Sequence, residues 1–139
     1  MNYELIKAPT EKESFELSQK FQEFIDSRVS LPDESEDKKF IINVRNSENE
    51  LIAGILANAY WDGLEIDTLW VGQHHRGTGL GAELLKKAER YGKEQGAVIS
   101  FLKTVEAKGF YEKHGYQVFG VLEDRPIGTL LYHLKKRLD

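Results

Sequence analysis

The sequence contains no cysteine, and this absence removes several kinds of chemistry at once. Disulfide bonds, thiolate metal centres and cysteine nucleophiles all need that side chain. The fold must therefore rest on a packed hydrophobic core. Any group transfer must proceed without a thiol supplied by the protein.

A basic excess and a long apolar run are missing as well. The formal net charge is −4 and the sequence pI is about 5.6, whereas nucleic-acid-binding domains carry a basic footprint. No apolar run approaches the ~18 residues of a membrane span, and the first residues do not resemble a signal peptide. We therefore expect a cytoplasmic protein that binds neither nucleic acid nor membrane.

What is present is the composition of an ordinary globular protein. Hydrophobic residues make up 40% of the 139 residues, charged residues 30% and aromatic residues 11%. A chain of this length can bury a core and still form a cleft. We predict one domain that spans residues 1–139.

The first forty residues predict a strand, a helix and a polar loop. The strand lies in NYELIKA, and Thr10 followed by Glu13 has the spacing of a capping box at a helix start. The loop LPDESEDKK is either simply solvated or flanks an opening for cations. Apolar residues at near-helical spacing predict a buried helix face: Phe15, Leu17, Phe21, Phe24 and Ile25.

A meander of three antiparallel strands follows the loop. We predict the strands at residues 40–44, 51–60 and 64–71, joined by the turns NSENE and WDG. Strict alternation along the third strand assigns its side chains to two faces. One face would carry Glu65, Asp67, Leu69 and Val71, and the other Leu64, Ile66, Thr68 and Trp70.

The second half of the chain predicts a helix, a strand, a short helix and two strands. The first helix begins at Gly79 and stops at Gly96, and the short helix is closed by Gly115. AVISFLK is nearly continuous in apolar residues, which predicts a strand buried on both faces and parallel to the end of the meander. A final antiparallel pair surrounds DRPIG. The fold class is therefore α/β (α+β), with a mixed, mostly antiparallel sheet, one parallel pair and flanking helices.

The segment VGQHHRGTGLG joins the third strand to the long helix and predicts an anion site. A glycine-rich turn at a helix start presents backbone N–H groups where the helix dipole favours negative charge. Arg76 adds a cation, and Gly77, Gly79 and Gly81 let the backbone approach a ligand closely. The segment lacks the lysine and hydroxyl of a P-loop and the acidic residue of a dinucleotide fold. A plain turn and helix cap is the alternative interpretation.

Two motifs resemble the GNAT superfamily of N-acetyltransferases. LWVGQHHRGTGLGAELLKKAE is similar to the family's acyl-CoA motif R/Q-x-x-G-x-G/A, which Arg76, Gly79 and Gly81 fill. AKGFYEKHGYQVFG is similar to the second motif, A-x-x-F/L-Y-x-K-x-G-F/Y. Its positions are filled by Ala107, Phe110, Tyr111, Lys113, Gly115 and Tyr116. The resemblance extends from about residue 40 to the C-terminus and implies a GNAT-like fold.

The resemblance implies acetyl-CoA as the cofactor and assigns residues to it. The backbone of Leu69 and Val71 would pair with the pantetheine arm like an added strand. Thr104 stands where many relatives carry an asparagine that contacts the pantetheine amide, and Lys113 is a candidate for the 3′-phosphate. The pyrophosphate would be held by N–H groups of Arg76, Gly77, Thr78, Gly79, Leu80 and Gly81.

Acetyl transfer to an amine needs a base for the amine and gains from an acid for the departing thiolate. By resemblance Tyr111 is the acid, although a tyrosine packed in the core is the alternative. Glu65 matches a glutamate that some relatives use as base. Glu65 or Asp67 would otherwise anchor a substrate ammonium group or simply face solvent. Tyr60 and Trp61 could add aromatic faces for a cationic amine.

The positions of the histidines predict no metal centre. His74 and His75 are adjacent and point in different directions, and His133 lies near the region where relatives contact substrates or is a packed residue. The expected partner is a small-molecule or peptide amine, preferably cationic, with a homodimer left open. A non-catalytic acetyl-CoA sensor and a partner-binding domain of the same fold are the competing interpretations.

Overall fold

The computed structural model describes residues 1–30 and 37–139. The chain divides into two compact units, residues 1–33 and 34–139. The predicted acidic loop falls mostly on residues 31–36, outside the described residues. No helix in the described ranges is both long and apolar enough to cross a bilayer.

The first unit contains one helix, α1 (Glu11–Asp26), with the predicted capping box. The Glu13 N–H donates to Thr10 Oγ1 at 3.1 Å, and the Thr10 N–H donates to Glu13 Oε1 at 2.9 Å. The predicted strand in NYELIKA is wrong, because a strand needs a partner for its N–H and C=O groups and residues 2–8 have no ladder. No residue of α1 is buried within the first unit taken by itself, since a single helix cannot cover its own apolar side, and the predicted buried face stays a prediction.

The second unit is a six-stranded sheet with helices α2 and α3. Its elements are β1 (Lys38–Arg45), β2 (Leu51–Tyr60), β3 (Gly63–Val71), α2 (Leu80–Glu94), β4 (Ile99–Thr104), α3 (Lys108–Lys113), β5 (Gln117–Glu123) and β6 (Leu130–Arg137). The strand order is β1-β2-β3-β4-β6-β5. Only the β3–β4 pair is parallel, so the predicted mixed sheet with one parallel pair is confirmed.

The core lies where α2 packs against β2 and β3. Leu84, Leu85 and Ala88 of α2 are buried, as their helical spacing predicts. A β-carbon at Gly92 would lie 2.9 Å from Leu64 Cδ2, so the absence of a side chain there lets helix and strand approach closely. Gly96 has a φ of 98° and ends the helix as expected.

The predicted faces of β3 are wrong beyond Ile66, because the strand contains a β-bulge. Leu56 pairs with Thr68 and Ala57 with Ile66, which leaves Asp67 as an extra residue without a partner on β2. The extra residue shifts the alternation by one position. The face shared with the buried alanines of β2 therefore carries Leu64, Ile66, Leu69 and Val71, and the opposite face carries Glu65, Thr68 and Trp70.

Strand β4 differs from its prediction in burial. Ser100 and Leu102 are buried on the α2 side, whereas Phe101 is half-buried and Lys103 exposed on the other side. One face of this strand is therefore buried, and the other face carries the half-buried Phe101 and the exposed Lys103.

Candidate active site

The site begins where the two parallel strands separate. The β3–β4 ladder contains only three residue pairs, from Gly63–Ile99 to Glu65–Phe101. The bulge at Asp67 bends β3 directly after this ladder ends. Beyond it, β4 continues beside β6 and β3 beside β2, so a gap opens within the sheet.

The gap leaves one edge of β3 available to a ligand. The Gly72 N–H donates to the Ile52 carbonyl at 2.7 Å, so its backbone points toward β2. Because backbone direction alternates along an antiparallel strand, the groups of Leu69 and Val71 point the other way, into the gap. One of them is engaged, since Arg76 Nε donates to the Val71 carbonyl at 3.0 Å. The remaining groups suit an extended chain that adds to the sheet edge.

The end of β3 leads through a 3₁₀ turn, Gln73–His75, to the start of α2. Gly77 and Gly79 have φ values of 76° and 87°, which favour glycine over any residue with a side chain. No side chain caps α2, and the first helical bond is from the Glu83 N–H to the Gly79 carbonyl at 3.0 Å. The N–H groups at the helix start have no acceptor within the described residues, as an anion site requires.

Helix α3 packs against this helix start. A β-carbon at Gly81 would lie 3.5 Å from Phe110 Cζ and 3.6 Å from Val71 Cγ2, so the three residues meet at one point. Thr104 Oγ1 accepts a hydrogen bond from the Ala107 N–H at 3.1 Å, and its hydroxyl proton stays available for a ligand. Lys113 is exposed at the end of α3 and forms no ion pair within the described ranges.

Tyr111 on α3 is 6% exposed, and its ring packs edge-on against Phe110 and Tyr116. Its hydroxyl has no hydrogen-bond partner among the described residues, although the ring belongs to the core. Burial raises the pKa of Tyr111, because the phenolate form is poorly solvated. The side chain therefore keeps its proton at neutral pH and can donate it.

The Glu65 carboxylate lies at the split, on the face opposite Leu69 and Val71. Burial is the main cause that raises the pKa of Glu65, and the charge of Asp67 raises it further, while Lys103 opposes both. A carboxylate with a raised pKa is a better proton acceptor. Tyr60 lies near the same carboxylates, since burial first and then Glu65, Asp37 and Asp67 raise the pKa of its phenol.

A cavity of about 180 Å³ joins these groups to residues that the sequence did not single out. Phe101 and Lys103 of β4 and Phe119 of β5 line it together with Glu65, Asp67 and His133. The β4 residues were missed because AVISFLK predicts a strand buried on both faces. Phe119 was missed because it is the extra residue of a second bulge, in β5, that no sequence signal marks.

Asn58 is a further residue that sequence reasoning missed. It lies directly opposite Glu65 across β2 and β3, and its Nδ2 donates to Asp37 Oδ2 at 3.5 Å. Its Oδ1 is buried without a partner within the described residues. His74 and His75 lie in the 3₁₀ turn, and the described residues contain no group of three His, Asp or Glu side chains that could hold a metal. That the protein needs no metal stays a prediction.

The fold and the site together define a class of protein that binds an extended, phosphate-bearing ligand beside a second, smaller pocket. Comparison with known proteins identifies the class. The chain matches the model of the Acetyltransferase (GNAT) family over residues 3–116. It is 36% identical over 92 residues to a blasticidin-S acetyltransferase of Streptomyces morookaense. The aligned region covers 64% of this chain and 68% of that protein.

Solved structures agree with this match. The crystal structure of an acetyltransferase from Bacillus cereus superposes with a TM-score of 0.83 at 29% identity, over 96% of this chain and 97% of that one. An aminoglycoside 6′-N-acetyltransferase complexed with coenzyme A shares the fold, with a TM-score of 0.66 at 20% identity over 73% of each chain.

The chain therefore belongs to the GNAT family of acetyltransferases, as the two sequence motifs indicated. It is an acetyl-CoA-dependent N-acetyltransferase. The free edge of β3 and the uncapped start of α2 fit two parts of this cofactor, its extended arm and its pyrophosphate.

Proposed function

We propose that this protein moves the acetyl group of acetyl-CoA to a primary amine by direct attack in a ternary complex. One observation supports this most strongly: Glu65 lies at the last β3–β4 pair, and the same strand continues past that split, as a free edge, to the uncapped start of α2. Acetyl-CoA supplies an activated acetyl thioester. The chain has no cysteine to accept that acetyl group, which favours direct transfer.

The cofactor assignments follow from the backbone. Leu69 and Val71 offer the arm the N–H and C=O groups that point into the gap, apart from the Val71 carbonyl held by Arg76. The N–H groups from Arg76 to Gly81 hold the pyrophosphate. Thr104 donates its hydroxyl proton to the arm, and Lys113 serves the 3′-phosphate as a point charge.

The proton transfers are assigned to two side chains. Glu65, directly or through a water, takes a proton from the amine so that a neutral nitrogen attacks the carbonyl carbon. Asp67 is the alternative base. Tyr111 donates its phenolic proton to the sulfur as the carbon–sulfur bond breaks, and coenzyme A leaves as the thiol. The second proton that the attacking nitrogen loses as the amide forms restores the phenol. The raised pKa of Glu65 suits a base, and Tyr111 is protonated at neutral pH, as a proton donor must be.

The acceptor is assigned as a small-molecule or peptide amine. The similar Streptomyces morookaense protein is named for blasticidin S, which makes that compound a sensible member of a test panel. The two carboxylates beside Tyr60 favour a cationic group on the acceptor. A cytoplasmic location, a single domain over residues 1–139 and a homodimer stay predictions.

A thiol-release assay tests this function. Purified protein and acetyl-CoA are incubated with blasticidin S, polyamines, aminoglycosides and peptides, and the product is checked by mass spectrometry for one added acetyl group on nitrogen. With at least one amine we expect free thiol to be released from acetyl-CoA much faster than it is by hydrolysis without an amine. Binding of acetyl-CoA without thiol release from any amine would instead favour the sensor alternative.

A further inference from the structure

The ionisable residues of the cavity at the sheet split fall into an acidic group and a basic group. The acidic group, Glu65 and Asp67, belongs to β3. The basic group, Lys103 and His133, belongs to β4 and β6. The gap in the sheet runs between the two groups, so one wall of the cavity is acidic and the other is basic.

The basic wall is built by strand register. Lys103 and His133 are directly opposite each other across the antiparallel β4–β6 pair, which places their β-carbons about 4.5–5.5 Å apart on one face. The Phe119 ring packs edge-on against His133 at 5.9 Å, and Lys135 Nζ lies 5.7 Å from the same ring. These contacts place the His133 ring beside Phe119, which also lines the cavity.

Lys103 is near enough to Glu65 to oppose the rise of its pKa, but the two walls form no ion pair within the described residues. Lys103 and His133 form no side-chain hydrogen bond or ion pair within the described residues, and neither do Glu65 and Asp67. Phe101 is opposite Glu65, and Lys103 follows it by two residues along β4, a step of about 7 Å. A carboxylate and an ammonium group therefore lie a short molecule's length apart on one face of the sheet.

We propose that the acceptor is an amino carboxylate, with its amine at Glu65 and Asp67 and its carboxylate at Lys103 and His133. This inference rests on the proposed function and narrows it to one substrate class. The cavity, at about 180 Å³, is smaller than the ~300–1,000 Å³ of pockets for drug-sized ligands. It accommodates a small amino acid whole, or the zwitterionic end of a larger molecule. Lys103 and His133 are binding residues in this arrangement and take no part in the proton transfers.

Matched acceptors test the inference directly. β-Alanine, γ-aminobutyrate and glycylglycine are each compared with the corresponding carboxamide, which keeps the amine and nearly the same shape but removes the negative charge. We expect kcat/KM to favour at least one carboxylate over its amide by about tenfold or more, mainly through KM. Equal kcat/KM for acid and amide in every pair would overturn the inference.

Variants show which residues cause the preference for the carboxylate. Lys103→Met keeps the apolar stem but removes the charge, so the kcat/KM for the carboxylate divided by that for the carboxamide should fall close to one. His133→Gln should lower this ratio less. Lys87→Met, on the exposed side of α2, removes the same charge elsewhere and should keep the wild-type ratio. A ratio that Lys103→Met leaves unchanged would refute the assigned wall.

A binding experiment separates this inference from the proposed function. Titration of γ-aminobutyrate and its amide into the coenzyme A-loaded protein is followed by NMR, with wild type and Lys103→Met compared. Acetylation of amines without carboxylate preference would preserve the function and overturn the inference. Carboxylate binding that Lys103→Met abolishes, without turnover of any amine, would support the wall and overturn the function.

Discussion

Tyr111 and Tyr116 are neighbours with edge-on rings 5.6 Å apart, yet their hydroxyls have opposite surroundings. The Tyr116 hydroxyl is 2.8 Å from both Glu89 Oε2 and Ser100 Oγ. A phenol has one proton, so Tyr116 donates to the carboxylate and accepts from the serine. The Tyr111 hydroxyl has no such partner among the described residues. The surroundings of Tyr116 therefore suit a structural role, and those of Tyr111 suit proton exchange.

Replacing Tyr111 with phenylalanine should separate chemistry from binding. We expect turnover to fall by about 10²-fold or more, because the variant cannot protonate the leaving thiolate. The affinity for coenzyme A and the free energy of unfolding should change little, since no hydrogen bond is lost. Steady-state kinetics, calorimetric titration and urea denaturation measure the three quantities. Unchanged turnover would remove Tyr111 from the mechanism.

The raised pKa of Glu65 predicts a specific pH dependence. The acidic limb of kcat/KM against pH reports the base of the free enzyme. Asp67→Asn removes a charge that raises the pKa of Glu65, so this limb should move to lower pH. Glu65→Gln should instead lower kcat and flatten the limb. Normal kcat and KM in Glu65→Gln with several amines would show that the residue is a bystander, and a raised KM with normal kcat would show an anchor.

At the scale of elements, the β3 bulge and the start of α2 act together. The bulge keeps Leu69 and Val71 on the core side while it turns the strand away from β4. The same strand then delivers the chain to an uncapped helix start. A strand without the extra residue could continue its ladder with β4 and close the gap.

The helix start predicts the behaviour of Gly79→Val. A β-carbon at Gly79 would point into open space, where we assign the pyrophosphate. Coenzyme A should raise the melting temperature of the parent protein, because it binds only the folded state, and the variant should lose that shift. Thermal denaturation with and without coenzyme A measures both.

Gly128→Val is the matched control for this experiment. Gly128 has a φ of 89°, close to the 87° of Gly79, and also faces open space, but it lies in the β5–β6 turn. Both variants carry similar backbone strain, so both should lose stability. Only Gly128→Val should keep its response to coenzyme A. A full response in folded Gly79→Val would contradict the phosphate assignment.

At the scale of the whole second unit, a buried polar network ties four parts of the chain together. Glu89 of α2 accepts from Lys136 of β6 at 2.9 Å and from Tyr116, which precedes β5. Ser100 of β4 is fully buried and completes the network. Burial raises the pKa of Tyr116 well above its usual value, so the phenol stays protonated as the donor to Glu89.

Tyr116→Phe should therefore destabilise the protein. The change leaves Ser100 without its buried partner and Glu89 with one donor fewer, at a cost of about 1–3 kcal/mol in the free energy of unfolding. Urea denaturation measures the cost, and Tyr111→Phe is the control that removes a hydroxyl without a partner. Equal stabilities of the two variants would mean that the network contributes nothing.

The sequence by itself determined the kinds of element and most of their limits, because those depend on neighbouring residues. The capping box at Thr10, the strand at residues 51–60 and the stops at Gly96 and Gly115 are local signals, and the structure confirms each. The two family motifs are equally local, since each lies within one short stretch. One spans the backbone that we assign to the phosphate, and the other spans helix α3, which lies beside it.

Only the tertiary structure decided the faces and the neighbours. The bulge at Asp67 shifts the alternation by one residue, and a bulge arises from how two strands pair, here β3 with β2, rather than from the residue itself. The insertion of β6 between β4 and β5 likewise depends on long-range hydrogen bonds. That insertion brings His133 opposite Lys103, and the split faces them with Glu65. The cavity at the split is assembled from strands far apart in the chain, so no short stretch of sequence contains it.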